Sequence, residues 1–249
     1  MKSKNPEKPF YGYVALASTL IISGILLITG FLTILYFSFL IGTIVVLMGI
    51  YAIFSYVSTM LFVNPTKYLD QSDILKLKGD ELVLDVGCGL GRATVGVAKQ
   101  LKNGKVVGVD IWDKLEIPGN SEERAYKNAE IEGVKDRVEF KYGDTFKLPF
   151  ENEQFDVVIC SGLLTSFHND TDKLKAMKEL NRVLKKKHVF LMREPVLHLK
   201  TIFFLTPTVF LLKIPSKNHW KELLEKSGFI KIKYYPHRIA SSFYMIKSN

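Results

Sequence analysis

The chain has 249 residues, 47% of them hydrophobic, with a formal charge of +9 and a mean hydropathy of +0.11. That length fits one catalytic-size domain with an addition, and the hydropathy is high for a chain that is soluble throughout. The charge admits nucleic acid or an anionic membrane surface as partner. The sequence offers no zinc-knuckle spacing, basic-aromatic interleaving or basic recognition helix, so the expectation is a membrane surface and no nucleic acid.

The apolar excess lies at the start of the chain. From Pro9 to Thr66 there is no Asp, Glu, Lys or Arg. This is too long for a signal-peptide core of about 7–15 residues or for a single span of about 20. Two transmembrane helices fit, near Tyr13–Leu35 and Phe39–Leu61, with an uncharged turn at Tyr36–Ser38. Aromatic residues gather near the expected interfaces, at Phe10, Tyr11 and Tyr13, at Tyr36, Phe37 and Phe39, and at Phe54, Tyr56 and Phe62. Gly24, Gly30, Gly42 and Gly49 would let the helices approach closely. Lys2, Lys4 and Lys8 precede the hairpin, Lys67, Lys76 and Lys78 follow it, and the turn has no basic residue. The expected protein is therefore a two-span membrane protein with its N-terminus and catalytic domain in the cytoplasm. A buried hairpin in a soluble protein is the alternative, although such helices normally carry a polar face.

Residues 1–66 form the expected hairpin and residues 67–249 the catalytic domain. After a polar linker, strands and helices alternate. The expected strands are Glu81–Val86, Val106–Asp110, Val138–Tyr142, Phe155–Cys160, His188–Met192, Lys231–Tyr235 and Ser242–Ile246. The expected helices are Arg92–Leu101, Ser121–Glu132, Thr171–Leu184 and Lys217–Ser227, with Asn120 and Glu123 as the cap of the second. Alternation argues for a doubly wound parallel sheet, and the closing strand-turn-strand for an antiparallel hairpin at one edge. Residues 196–215, VLHLKTIFFLTPTVFLLKIP, break the rhythm; their apolar character suits an interfacial flap or a lid, with core packing as the alternative. Cys88 and Cys160 read as reduced core thiols.

The chain is organised around LVLDVGCGLG, residues 82–91. An apolar strand ends at Asp85, and Gly87, Gly89 and Gly91 then allow a sharp turn and the close approach of a ligand. A dinucleotide fingerprint would carry G-x-G-x-x-G, whereas here the third glycine falls one place early and Arg92 stands where that pattern wants glycine. Asp110 ends the second strand, where a carboxylate can accept both hydroxyls of a ribose. Asp144 follows the third strand and suits a place beside an adenine. Each acid alone could be a solvated strand end; in this order, after successive strands, they argue for a bound nucleoside.

LDVGCGLG, GVDIW, YGDTFKLPFENEQFDVVICSGLL and the helix ending NRVLKKK together resemble the successive motifs of class I S-adenosylmethionine-dependent methyltransferases, in the small-molecule and quinone-methylating branch. The resemblance covers about Asp70 to Asn249. It implies an α/β fold, a doubly wound seven-stranded Rossmann-like sheet with an antiparallel last strand, here preceded by the two-helix hairpin. It implies S-adenosyl-L-methionine as cofactor. Asp85 and Gly87 would lie near its methionine end, Gly89 and Gly91 would let the backbone pass it, Asp110 with Ile111 would hold the ribose, Asp144 and Thr145 would flank the adenine, and Ser161 with Gly162 would border the donor sulfur. The family's Pro-Gly-Gly turn after the fourth helix is replaced by Lys185, Lys186 and Lys187, a basic patch suited to lipid phosphates. The stretch from Ile111 to Val134 is longer than a minimal loop and leaves the place of Trp112 open.

His168, just after the fourth strand, is the candidate general base, with a solvated loop histidine as the alternative. Arg193 and Glu194 end the fifth strand as substrate contacts or as a structural pair. His198, His219 and His237 lack metal-ligand spacing, so no metal is expected. The reading is methyl transfer to a hydrophobic, membrane-resident small molecule or lipid. Its alternatives are a soluble metabolite as acceptor, a non-catalytic membrane-anchored cofactor-binding protein, or a nicotinamide enzyme.

Overall fold

A computed structural model gives the architecture. It describes residues 7–12, 17–62, 64–114, 117–199, 201, 213–237 and 240–248. The expected flap at 196–215 and the start of the first span at Tyr13 lie largely outside the described residues.

Two apolar helices open the chain, α1 (Ala17–Tyr36) and α2 (Phe39–Phe62), joined at Phe37-Ser38 as the sequence implies. They cross closely because Gly30 and Gly42 face each other's helix: a Cβ on Gly42 would lie 2.7 Å from the Gly30 carbonyl oxygen. Gly49 packs against Leu27, whereas Gly24, expected at the same seam, faces open space. The hydroxyls of Thr29, Thr33 and Thr43 each donate to the carbonyl four residues earlier at 2.8 Å, so these polar groups are satisfied within their own helices. The apolar side chains point outward, with Ile21 63%, Ile28 64% and Leu40 70% exposed.

The catalytic domain is a seven-stranded sheet in the order β3-β2-β1-β4-β5-β7-β6. The strands are β1 (Leu82–Val86), β2 (Lys105–Asp110), β3 (Val138–Tyr142), β4 (Phe155–Ser161), β5 (Leu184–Pro195), β6 (Phe229–Tyr235) and β7 (Ala240–Lys247). The β1, β2, β3, β4 and β5 ladders are parallel, and β7 inserts antiparallel between β5 and β6. β1 reads as a continuous apolar run because both of its faces are covered. On one face Leu84, Val86, Phe190 and Met192 pack with Met177 and Leu180 of α5 (Asp170–Val183) and with Trp220 and Leu223 of α6 (Lys217–Lys226). On the other, Val83, Ile159 and Leu191 pack with Val95 of α3 (Arg92–Ala98), Ala125 and Ala129 of α4 (Glu122–Ile131), and Leu75 of the linker.

Three expectations change. Ser121, not Asn120, caps α4: its hydroxyl accepts from the Arg124 amide, while Asn120 is buried and turned toward Asp110. Lys185, Lys186 and Lys187 fall within β5, which follows α5 directly, as an irregular stretch: the pairing with β4 jumps from Leu184 to Val189 and Lys187 has φ 61°. Lys185 is paired with Asp156 at 2.7 Å at the amino end of the sheet, opposite to the strand ends that carry the hairpin, so these lysines do not face the hairpin's side.

The third change concerns the hairpin's base. Tyr11, expected at a membrane interface, is only 5% exposed within the core of the catalytic domain. Its amide donates to the Pro65 carbonyl at 2.7 Å and so joins the two ends of the hairpin. Asn128 of α4 exchanges two 2.9 Å hydrogen bonds with the backbone of Phe10, through Oδ1 and Nδ2. Arg92 donates to the carbonyls of Lys67 and Asn64 at 3.0 and 3.1 Å. From there the linker runs along α3, where Gly96 leaves room for the Leu69 carbonyl, and reaches Gly79 before β1.

Candidate active site

Every expected cofactor residue falls at the carboxyl ends of β1 to β4, where ligands bind in open parallel sheets. The turn after β1 is built as its glycines dictate. Gly87, Gly89 and Gly91 have φ of 73°, 51° and 81°, a region costly for residues with a Cβ. Gly87 is also confined by the Leu163 side chain, 2.9 Å from where its Cβ would stand. The amides of Gly87 and Cys88 donate to the Val109 carbonyl at 2.9 and 3.1 Å, which anchors the turn to β2.

Asp110 is the hub of this edge. Its Oδ2 accepts from the Gly89 amide at 2.8 Å; its Oδ1 accepts from the Trp112 amide at 2.7 Å and from Asn120 Nδ2 at 3.2 Å. Trp112 takes a left-handed backbone, φ 58°, and sets its ring edge-on to Phe140. Ile111 beside it is 51% exposed. Asp144 is exposed and accepts from the Phe146 amide at 2.8 Å, and Thr145 is buried behind it.

Asp85 lies under the turn with 1% exposure and accepts from Thr94 Oγ1 at 2.6 Å. Burial, with Asp110 nearby, pushes its pKa up to about 7 against the pull of the Thr94 hydrogen bond. Cys88 and Cys160 are free and buried, and burial raises both thiols well above the ordinary range.

The edge after β4 is held from two sides. Glu194, fully buried, accepts from the amides of Leu164 and Thr165 at 2.9 and 3.2 Å and from Thr165 Oγ1 at 2.6 Å. Burial pushes its pKa up to about 7 despite these donors. Lys173, also buried, donates to the Phe167 carbonyl. These contacts fix the loop that follows Ser161 and Gly162; Gly162 has φ 78° and open space where a Cβ would point. Arg193 and Glu194 are not a pair, since successive strand residues face opposite ways and Glu194 is taken up by the loop. His168 sits exposed at the far end of this loop, just before the Asn169 cap of α5. His219 pairs instead with Asp170 at 2.8 Å.

The residues present fit an S-adenosyl nucleoside. Among the described residues Asp85 Oδ1, Asn120 Oδ1 and Trp112 Nε1 are buried without a hydrogen-bond partner, a costly state that a polar ligand would relieve. Only glycine fits this turn, since a Cβ would meet Leu163 at Gly87, Ile117 at Gly89 and Phe140 at Gly91, and Ile111 stands exposed next to Asp110. Sequence reading missed Thr94, Asn120 and Asn128. Thr94 follows Asp85 by nine residues on the first helical turn, which was a readable signal; the other two depend on contacts across 10 and 118 residues.

This fold and strand-end crevice define a class I S-adenosylmethionine-dependent methyltransferase. A methyltransferase-domain family model matches residues 77–228, and the chain belongs to that family. An uncharacterized protein of Haemophilus influenzae is 31% identical over 155 residues, 60% of this chain and 59% of that one. A demethylmenaquinone methyltransferase of Staphylococcus aureus is 39% identical over 104 residues, 41% of this chain and 38% of its own length. The chain thus spans well under two thirds of these curated relatives. Among solved structures, a SAM-dependent methyltransferase of Methanosarcina mazei aligns with TM-score 0.58 and 20% identity over 72% of this chain and 99% of its own, a likeness of fold. The chain therefore carries a methyltransferase domain of the S-adenosyl-L-methionine-dependent kind.

Proposed function

We propose that this methyltransferase acts on a hydrophobic acceptor, a lipid or lipophilic small molecule, taken from the bilayer into which α1 and α2 insert. The observation that carries the proposal is the attachment of the hairpin. Its incoming end, through Phe10, and its outgoing end, through Asn64 and Lys67, are hydrogen-bonded to α4 and to Arg92, the residue after the glycine turn. The hairpin's ends thus lie beside the glycine turn, which supports an acceptor that comes from the membrane. α2 contains a 19-residue apolar window, Phe39–Val57, with hydropathy 2.2. Its 24 residues reach about 36 Å, and the 20 of α1 about 30 Å, enough for a hydrocarbon core of about 30 Å. Both helices expose apolar faces, with Ile21, Ile28 and Phe31 on α1 and Leu40, Ile44 and Leu47 on α2, and contiguous exposed apolar surface marks a membrane or partner contact. The lysines that flank the hairpin favour a cytoplasmic catalytic domain.

The cofactor, when bound, supplies a sulfonium whose methyl group is displaced in line. In this reading Asp110, Asn120 and Ile111 hold the nucleoside, and Asp85 and Gly87 border the methionine end. Leu163, Ser161 and Gly162 form the wall beside the transferred methyl, kept in place by Glu194 and Lys173. Such positioning can contribute up to about 7–11 kcal/mol to the rate. His168 is the proposed base for an acceptor that arrives protonated. A quinone-like acceptor suits the demethylmenaquinone methyltransferases among the relatives; a polyprenyl lipid, a phospholipid amine and a lipophilic alcohol or thiol are the other acceptors of this reading. Incubation of the full chain with methyl-labelled cofactor, membrane lipid extract and soluble extract tests the proposal. Label is expected in the organic phase, and label confined to a soluble metabolite would overturn it.

A further inference from the structure

Arg193 stands in an unusual electrostatic position. It pairs in register with Ser161 of β4 and Ser242 of β7, and Ser242 pairs with Tyr235 of β6. Register partners share a face, so Ser161, Arg193, Ser242 and Tyr235 form a row at the crevice end of the sheet. This is the face that also carries Asp85, through its partner Ile159 one row below. Arg193 is half-buried, and among the described residues its guanidinium makes no ion pair or hydrogen bond. Ser242, beside it, is 0% exposed with Oγ unpartnered.

Among the described residues the charged group that acts most on Arg193 is another guanidinium. Burial and the neighbouring Arg92 both disfavour the charge on Arg193. Among the described residues Arg92 itself donates to the uncharged carbonyls of Lys67 and Asn64. His237 lies within the field of Arg193. Glu194, next in the chain, faces the other way and is occupied by Thr165 and Leu164. The sequence on either side adds no counter-charge: no Asp or Glu occurs from Pro195 to Lys221 or from Lys226 to Asn249, while Lys200, Lys213 and Arg238 fall within those stretches. A half-buried guanidinium without a counter-charge has lost hydration that no partner replaces and suits bidentate binding of a carboxylate or phosphate.

We infer that Arg193, with Ser242 beside it and Arg92 and His237 near, binds an anionic group on the methyl acceptor, which is therefore an anionic amphiphile. This rests on the reading of the crevice as the site of transfer to a membrane-resident acceptor. The cofactor's own carboxylate shares the same chemistry. Arg193 lies on β5, two strands from β1 and about 10 Å away, with β4 between it and the glycine turn, which favours the acceptor over the cofactor.

The test uses the full chain in nanodiscs of uncharged lipid, saturated with S-adenosylhomocysteine, titrated calorimetrically with hexyl phosphate and with hexanol. Hexyl phosphate should bind at least about tenfold more tightly than hexanol, and Arg193→Gln should remove that preference. Arg193→Lys should retain part of it, and S-adenosylhomocysteine affinity should be unchanged in both variants, which also shows that they fold. Equal binding of the two probes would overturn the inference. So would a fall in S-adenosylhomocysteine affinity in Arg193→Gln, which would give the guanidinium to the cofactor. A soluble acidic metabolite labelled in the transfer assay, in an Arg193-dependent way, would uphold the anion site while removing the membrane acceptor.

Discussion

Asp110 Oδ2 accepts the Gly89 amide at 2.8 Å, so the end of β2 holds the middle of the glycine turn across 21 residues of sequence. The other oxygen of the same carboxylate gathers Trp112 and Asn120. One side chain thereby sets the shape of both walls around the place proposed for the ribose. The turn is preorganised, which lowers the ordering cost of binding.

Asp85 gives the protein a specific dependence on pH. Its folded pKa of about 7 lies above the ordinary 3.8. Between about pH 4 and 7 the folded state holds a proton that the unfolded chain has released, so stability falls as pH rises. The contribution is complete below about pH 4 and lost above about pH 7, a change of about 4 kcal/mol at about 1.4 kcal/mol per unit. Thermal melts of the cofactor-free protein should show Asp85→Asn losing this slope and gaining on the wild type between pH 4 and 8. Parallel melting curves for the two proteins would show that Asp85 does not titrate in this range.

Glu194 and Thr165 should behave as a coupled pair. Thr165→Val leaves Glu194 with two amide donors and should cost about 1–2 kcal/mol; Glu194→Gln turns a donor toward donors and should cost about 2–4 kcal/mol. Denaturation of both single variants and the double variant should give a coupling above about 0.5 kcal/mol. Additive losses would mean that the loop after β4 is held by other contacts.

The strap at Phe10 should transmit the hairpin's position to the glycine turn. Asn128 Nδ2 donates at 2.9 Å both to Phe10 and to Leu90, inside the turn. Asn128→Ala should speed hydrogen exchange at the Phe10 amide and weaken S-adenosylhomocysteine by about tenfold, the effect of about 1.4 kcal/mol. Faster exchange with unchanged affinity would leave the strap as an anchor without influence on the site.

Much of this was legible in the sequence because the signals were local. LVLDVGCGLG specified a strand, a turn and a helix through apolar run and glycine spacing, and all three appear at β1, the turn and α3. The hairpin turn at Phe37-Ser38 followed from the lengths of two apolar runs. What stayed hidden depends on distant partners. Tyr11 reads as an interfacial aromatic until its packing beside α4 is seen, and Asn120 has the composition of a cap although its amide is needed 10 residues back at Asp110. Lys185, Lys186 and Lys187 read as a basic patch, yet Leu184 pairs with Phe155 just before them and Lys185 is tied to Asp156 of β4. Arg193 and Glu194 are adjacent in sequence, and only the alternation of β5 separates their roles.

The central claim is that the glycine turn, closed by Asp110, is where the cofactor binds. Calorimetric titration of S-adenosylhomocysteine into the wild type and Asp110→Ala tests it most directly. Loss of a charged acceptor for the ribose and of the contact that holds Gly89 should weaken binding by about 100-fold, near 2.7 kcal/mol. Equal affinity for the two proteins, with both folded, would contradict the account.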